Sequence, residues 1–306
     1  MKQSSGIIML TLCALIWGTA FIAQSVGAQY MGPFTFNFSR SILATLFLFP
    51  CIFIFDALAG KSLSLWGTQD PAVRRHLLRG GIICGLVLTV DSLFQQLGMA
   101  YTTVGKGGFI TSLYIVIVPV LGRCFFGRTV HLQQWMSVFL ASVGMYFICL
   151  SGVVSVNKGD LFILASAFCF AIHILSVEYF AQNADGVRFS FLQFLACTLA
   201  NGILMFIFEE PSWKQVDQAL LPVLYAGIMS SGIAYTLQIL GQSKVNAVLS
   251  SMLLSLESVF AVLSGWLILN QLLTLRELFG CCLVFAAIIL AQIPPASFTN
   301  LWSKKA

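Results

Sequence analysis

Six ionisable side chains lie within long apolar stretches of this sequence. A charged group inside a membrane is costly, so it usually faces a cavity or a water-filled route for a substrate, an ion or a proton. Side chains of this kind indicate binding and proton exchange at membrane depth. The six residues are Arg40, Asp91, Lys106, His173, Glu178 and Glu257.

Glu257 is the foremost candidate because it lies midway along its apolar stretch, far from water on either side. Ser250 precedes it by seven residues, so both side chains would share one face of a continuous helix. A carboxyl group at this depth suits proton coupling or contact with a cation. The alternative is a neutral side chain that joins two helices through a hydrogen bond.

A second group combines Arg40, Asp91 and Lys106 in one half of the membrane. Asn37 shares a helical face with Arg40, and Gln95 shares one with Asp91. The two cations and the acid could form a salt bridge that acts as a gate, or the arginine could hold a substrate carboxylate with its forked guanidinium. Alternatively, Lys106 extends to the membrane surface while Arg40 and Asp91 form a permanent pair.

His173 and Glu178 belong to one apolar stretch but are interpreted differently. His173 lies in a polar stripe with Ser166 and Ser176, so it is a candidate for lining a cavity. It could equally be an interhelical hydrogen-bond partner. Glu178 lies close enough to the end of the stretch that we expect it to be solvated, without a role in transport.

Three aromatic residues, Trp17, Tyr114 and Tyr235, lie inside apolar stretches beside small or polar neighbours. Tyr235 shares a helical face with Gln238. Rings with an apolar body and a polar edge can enclose an organic molecule. We therefore expect these four residues to contribute to a substrate cage.

The elements that hold these residues follow from composition. Hydrophobic residues make up 58% of the chain, charged residues only 9%, and the mean hydropathy is +0.93, whereas a soluble domain is about 25% charged. Lipid must therefore be the solvent. A spanning helix needs about 20 mostly apolar residues, and continuous apolar runs favour helices over barrel strands. The sequence predicts an all-α membrane protein with ten spans at 6–26, 33–55, 77–98, 104–126, 132–153, 159–180, 189–208, 219–240, 246–269 and 275–294.

The connections between the spans predict the orientation. Eleven Lys and Arg residues fall on one side and three on the other, with Arg40 and Lys106 inside spans. Basic residues concentrate on the cytoplasmic side. Both termini are therefore predicted to be cytoplasmic, which requires an even number of spans.

The chain also repeats itself. At an offset of 143 residues, Gln95, Leu97 and Gly98 match Gln238, Leu240 and Gly241, and Gly6 onward resembles Gly159 onward. We predict two five-helix repeats, residues 1–153 and 154–306. Because five is odd, the second repeat is inverted relative to the first. Inverted repeats are typical of secondary transporters that bind substrate near the midplane.

Several segments together resemble the EamA-type branch of the drug/metabolite transporter superfamily over about residues 6–294. The resemblance implies ten helices in two inverted repeats, alternating access, and transport of metabolites or drugs, often outward, through the bacterial inner membrane. The segments are ALIWGTAFIAQ (14–24), GPFTFNFSR (32–40), TTVGKGGFITSLYIVIVP (102–119), ASAFCFAIHI (165–174), LESVFAVLSGWLIL (256–269) and LTLRELFGCCLVFAAIILAQ (273–292).

The sequence departs from that family at three places. A Gly-Glu pair often precedes the last helix of each half, but here those places read Phe126-Gly127-Arg128 and Leu269-Asn270-Gln271. A proline often follows the glutamate of a Leu-Glu-Pro motif, but Ser258 follows Glu257. No role is carried over for the missing acids.

Other classes of function fit the sequence less well. It has no HExxH, GxSxG or nucleotide-binding motif, so we expect no enzyme activity, no metal and no cofactor. A channel or a non-transporting receptor stays an alternative, although the short loops offer little docking surface. The expected partners are a small-molecule substrate and the lipid bilayer, without nucleic acid, and the oligomeric state stays open.

Overall fold

The computed structural model describes residues 2–102, 104–127, 129–149, 157–182, 184–269 and 274–292, and these residues are almost entirely helical. The first half contains α1 (Lys2–Gly27), α2 (Pro33–Leu58), α3 (Pro71–Met99), α4 (Val104–Thr111), α5 (Tyr114–Phe126) and α6 (Leu132–Cys149). The second half contains α7 (Lys158–Ala181), α8 (Gly186–Phe208), the short α9 (Trp213–Gln218), α10 (Leu220–Leu224), a π-helix (Tyr225–Ala234), α11 (Tyr235–Gln242), α12 (Ala247–Leu254), α13 (Leu256–Leu269) and α14 (Leu275–Gln292).

The predicted fold class is confirmed. Within the described residues, nine helical segments are long and apolar enough to cross a membrane, and Leu132–Ile148 adds a shorter apolar helix. These ten segments coincide with the ten predicted spans. We call the face at which α1 begins the N face, and the other the opposite face. The cytoplasmic location of the N face stays a prediction.

Three spans are not continuous α-helices as predicted. The fourth breaks between α4 and α5 at Ser112 and Leu113, and the ninth breaks between α12 and α13 at Ser255. Ser255 lies between Ser250 and Glu257, and the common face of those two side chains stays a prediction. The eighth span contains the ten-residue π-helix. Broken helices and π-helical turns are frequent at transport and functional sites.

The packing of the helices is preserved when the two halves are exchanged. The third span packs on α7 as the eighth span packs on α1, while α2 packs on α8 and α6 on α14. Residues that match at an offset of 153 meet each other, since Thr45 Oγ1 lies 3.0 Å from Thr198 Oγ1. The predicted boundary between residues 153 and 154 lies outside the described residues and stays a prediction.

Two corresponding glycine pairs permit close helix crossings. At Gly98 an added Cβ would lie 2.8 Å from the Gly159 oxygen, and at Gly6 it would lie 3.1 Å from the Gly241 oxygen. Small residues let membrane helices approach closely. The two crossings correspond to each other in the repeat, so the same packing solution occurs once in each half.

The α2–α8 pair is held by an ion pair at the N face and by a helix-capping carboxylate at the opposite face. At the N face, Arg188 Nη2 lies 2.5 Å from Asp56 Oδ2, and both side chains are 4% exposed. Arg188 also contacts Asp185 and the carbonyls of Ser64 and Leu65, which fixes the loop after α2. We call this cluster the N-face clamp. Asp185 is 38% exposed, so it is the weaker of the two partners.

At the opposite face, Glu209 caps the start of α2. Its carboxylate accepts hydrogen bonds from the backbone nitrogens of Phe34 and Thr35, at 3.1 and 2.8 Å, and from the Thr35 hydroxyl. A negative charge at a helix N-terminus satisfies free N–H groups and the helix dipole. Glu209 and Asp56 match at the repeat offset of 153, so equivalent positions hold the two ends of this helix pair.

Candidate functional site

A narrow cavity of about 30 Å³ lies between the two halves. It extends from the middle of the spans into the half nearer the opposite face, where Gln24 and the half-buried Gln95 line it. Sites for small molecules usually combine apolar walls with a few placed polar groups. The lining residues are Trp17, Phe21, Gln24, Arg40, Asp91, Gln95, Thr111, Phe170, Ser230, Tyr235 and Glu257.

Arg40 and Asp91 both line this cavity but do not form an ion pair with each other among the described residues. Arg40 Nε donates to Ser231 Oγ on the π-helix at 3.0 Å, and its two Nη nitrogens have no hydrogen-bond partner among the described residues. Asp91 Oδ1 accepts from the Ser166 hydroxyl at 2.6 Å. The forked end of the guanidinium is therefore available to an anionic group in the cavity.

Glu257 lies where the two broken spans cross. It begins the first turn of α13, just beyond the break, and its Oε1 accepts from the Tyr114 hydroxyl at the start of α5, at 3.2 Å. Beside it, Ser112 Oγ and Ser258 Oγ are 2.8 Å apart. Tyr114 and Glu257 match at the offset of 143, so the crossing joins equivalent positions of the two halves.

Three rings form the floor of the cavity. Trp17 contacts Phe170 at 5.6 Å and Tyr235 at 4.6 Å between ring centroids. Trp17 Nε1 donates to the Ser230 carbonyl of the π-helix at 3.3 Å, which fixes the indole. Trp17 and Phe170 match at the offset of 153. The structure thus brings two of the three proposed cage aromatics into one cluster, and Tyr114 contacts Phe170 from behind at 5.1 Å.

Behind this floor, toward the N face, lies a fully buried polar cluster. His173 Nε2 is 3.0 Å from Gln193 Oε1. Gln238 is one turn after Tyr235, whose ring lies 6.0 Å from that of His173. His173, Gln193 and Gln238 have no exposed surface, so they close the cavity on this side.

The predicted site residues therefore divide into three groups. Trp17, Arg40, Asp91, Gln95, Tyr235 and Glu257 line the cavity. Asn37, Tyr114, His173 and Gln238 are buried beside it, and Asn37 Nδ2 donates to the Ser92 carbonyl. Lys106 belongs to α4, and its side chain lies outside the described residues.

The sequence interpretation missed several contributors. Phe170 could have been found from its repeat match to Trp17, and Gln193 from its match to Arg40 at the same offset. Ser230 lines the cavity because the π-helix turns it inward, and hydropathy gives no signal for that. Glu178 was wrongly expected to be solvated, because it is 7% exposed and accepts from the Ala247 nitrogen at the start of α12.

The ten helical segments form two matching halves, with a charged and aromatic cavity between them. This architecture is typical of a membrane transporter. The model of the EamA-like transporter family matches residues 4–150 and again residues 157–292. The chain belongs to this family, so it is a multi-pass membrane transporter.

Relatives extend over nearly the whole chain. An uncharacterized transporter of Archaeoglobus fulgidus is 28% identical over 93% of this chain and 84% of its own length. The uncharacterized transporter YoaV of Bacillus subtilis is 24% identical, over 93% and 96%. A solved crystal structure at 18% identity aligns with a TM-score of 0.74, covering 95% of this chain and 97% of the other, which supports the fold.

Proposed function

We propose that this protein is a secondary transporter that carries a small organic metabolite or drug by alternating access. One observation carries the proposal: Arg40, Asp91 and Glu257 meet an aromatic floor where two broken helices cross. Transporters with repeated halves bind their cargo in this position, near the midplane and beside discontinuous helices.

The chemistry of the cavity suggests which cargo it takes. The free Nη nitrogens of Arg40 suit a carboxylate or another anionic group. The rings of Trp17, Phe170 and Tyr235 suit an apolar or aromatic portion of the same molecule. Asp91 and Glu257 suit an amine or another cationic group. We therefore propose an amphipathic substrate that combines an anionic group and a cationic group with an apolar body.

A carrier agrees with the geometry better than a channel does. A channel needs a continuous pore, whereas His173, Gln193 and Gln238 close the cavity toward the N face without exposed surface. Beyond them, a second cavity of about 500 Å³ lies at the N face between α5, α6, α7 and α12. Two cavities separated by a packed barrier are what alternating access requires.

Glu257 is proposed as the coupling residue. It is buried, lines the cavity, and holds one hydrogen bond to Tyr114 that ties the two broken spans together. Gain or loss of a proton there changes both the charge facing the substrate and the contact between the halves. Proton binding can in this way bias the exchange between the two cavities.

We further propose outward transport through the bacterial inner membrane, with both termini cytoplasmic. The excess of basic residues on the N face supports the orientation. The membership in the EamA-like family supports a carrier, and the resemblance described above supports export.

The test is flux into proteoliposomes of purified protein, with labelled amino acids, nucleobases and amphipathic drugs, with and without a pH gradient. Saturable flux of one class that Arg40→Leu reduces at least tenfold supports the proposal. Leu46→Ala is the control, because Leu46 lies on the same helix and is 62% exposed on its outer surface. Conductance without saturation would instead establish a channel.

A further inference from the structure

The buried cluster behind the cavity floor contains polar atoms that the protein leaves unpaired. His173 Nδ1, Gln193 Nε2 and both amide atoms of Gln238 have no hydrogen-bond partner. In the described part of the chain, no other glutamine or asparagine has both amide atoms buried and unpaired. A buried polar atom without a hydrogen bond is costly, so the unpaired atoms of these three residues require a reason.

Gln238 is not needed to hold its helix against α7 and α8, so its buried amide requires another explanation. Gln242, one turn beyond Gln238, already joins the eighth span to α7 by donating to the Ile174 carbonyl at 3.1 Å. Thr236 joins the same span to α8 through the Ser190 hydroxyl at 2.8 Å. The contacts between these helices are therefore made on either side of Gln238 without its amide.

The repeat gives the cluster a counterpart. Gln193 matches Arg40 at the offset of 153, and Gln238 matches Gln95 at the offset of 143. Arg40 and Gln95 line the cavity that extends toward the opposite face. In an inverted repeat, the second half repeats on the other side of the membrane what the first half does on this one. Gln193 and Gln238 therefore occupy, in the half of the membrane nearer the N face, the positions that correspond to the cavity residues Arg40 and Gln95.

Helix α7 contributes both to this cluster and to the cavity at the N face. Leu175, two residues after His173, lines it, and so does Val118, one turn after Tyr114. Side chains two residues apart on an α-helix point to different sides, so opening this cavity to His173 requires α7 to move against its neighbours.

We infer that His173, Gln193 and Gln238 form a second binding station, which opens to the N face in the other half of the transport cycle. This inference rests on the proposed transport function. The unpaired atoms include amide donors and at least one acceptor, so the station suits an uncharged group that both donates and accepts hydrogen bonds. A carboxylate would use the donors alone and leave the acceptors unpaired. Amides, hydroxyls and nucleobase edges have the required chemistry.

The test of the station is the face of the membrane from which a cysteine placed in it can be labelled. Full-length Gln193→Cys and Arg40→Cys variants in intact cells and in inverted vesicles are treated with a membrane-impermeant methanethiosulfonate, and each peptide is read by mass spectrometry. Gln69→Cys, in the exposed loop after α2, marks the N face. Native Cys197, one turn from Gln193 and 2% exposed, is the internal control and should stay unlabelled.

We expect position 193 to be labelled only from the N face and position 40 only from the opposite face. Labelling at 40 without labelling at 193 from either side overturns the station and leaves the transport pathway intact. Labelling of 193 from the opposite face also overturns it. If only the marker at 69 is labelled, the proposed transport function fails as well. His173→Cys repeats the test should Gln193→Cys not fold.

Once the flux panel identifies a substrate, kinetics gives a second test. Gln193→Leu and Gln238→Leu should raise the KM for substrate presented at the N face at least tenfold, with less than a threefold change from the opposite face. An equal rise from both faces contradicts a station specific to one side.

Discussion

The N-face clamp gives a stability prediction whose size follows from its geometry. In Asp56→Asn the shape is kept and the carboxylate charge is lost, so the ion pair with Arg188 becomes a hydrogen bond from the charged guanidinium to a neutral amide oxygen. Removal of one partner of a buried pair costs about 3–5 kcal/mol. The remaining contacts of Arg188 to Asp185 and two carbonyls keep our expectation near 2 kcal/mol.

The measurement is a double-mutant cycle on the free energy of unfolding in mixed micelles titrated with a denaturing detergent. The variants are Asp56→Asn, Arg188→Gln and their combination. We expect a coupling energy of about 2 kcal/mol, because residues that share a buried ion pair are not additive.

Asp185 supplies the matched control on the same guanidinium. Its contact to Arg188 is 2.7 Å long, but the side chain is 38% exposed, and exposed pairs contribute only about 0.2–1 kcal/mol. The coupling of Asp185→Asn to Arg188→Gln should therefore be less than half that of Asp56→Asn. Equal couplings, or a larger one for Asp185, would refute the reasoning that burial determines the strength of the clamp.

Three further predictions concern the site and the packing. Glu257→Gln should abolish the pH dependence of flux, whereas Tyr114→Phe should lower the rate and retain that dependence; unchanged rate and pH response in Glu257→Gln would end the coupling hypothesis. Simultaneous reversal by Arg40→Asp and Asp91→Arg should not restore flux, because each side chain has its own serine partner, and recovery would instead establish a gating pair. Gly98→Val should reduce thermal stability and folded yield, since even its Cβ would lie 2.8 Å from a backbone oxygen, and an unchanged melting temperature would contradict that close packing.

The fold was predictable because lipid imposes a simple rule on sequence. Each span must be apolar for about 20 residues, so hydropathy alone located all ten. The repeat was visible because matching positions such as Gln95 and Gln238 keep their side chains. Interruptions were not visible, because Ser112 and Ser255 are small residues that an apolar helix also tolerates.

The site was only partly predictable for a related reason. Ionisable residues in apolar stretches, such as Arg40, Asp91 and Glu257, stand out by their cost. Phe170 and Ser230 do not, because an aromatic residue or a serine is common in any span. Whether Arg40 and Asp91 touch depends on side-chain direction across two helices, and spacing along one helix carries no information about that.

The π-helix determines the rotational phase of the eighth span. An α-helix advances by about 100° per residue, and a π-helical turn accommodates additional residues within an otherwise α-helical segment. Loss of a single residue from Tyr225–Ala234 would leave a helix that still crosses the membrane, but everything after it would be turned by about 100°. Tyr235 would then leave the cavity floor and Gln238 would leave the buried cluster. The length of this one segment therefore determines the side-chain orientation at both places.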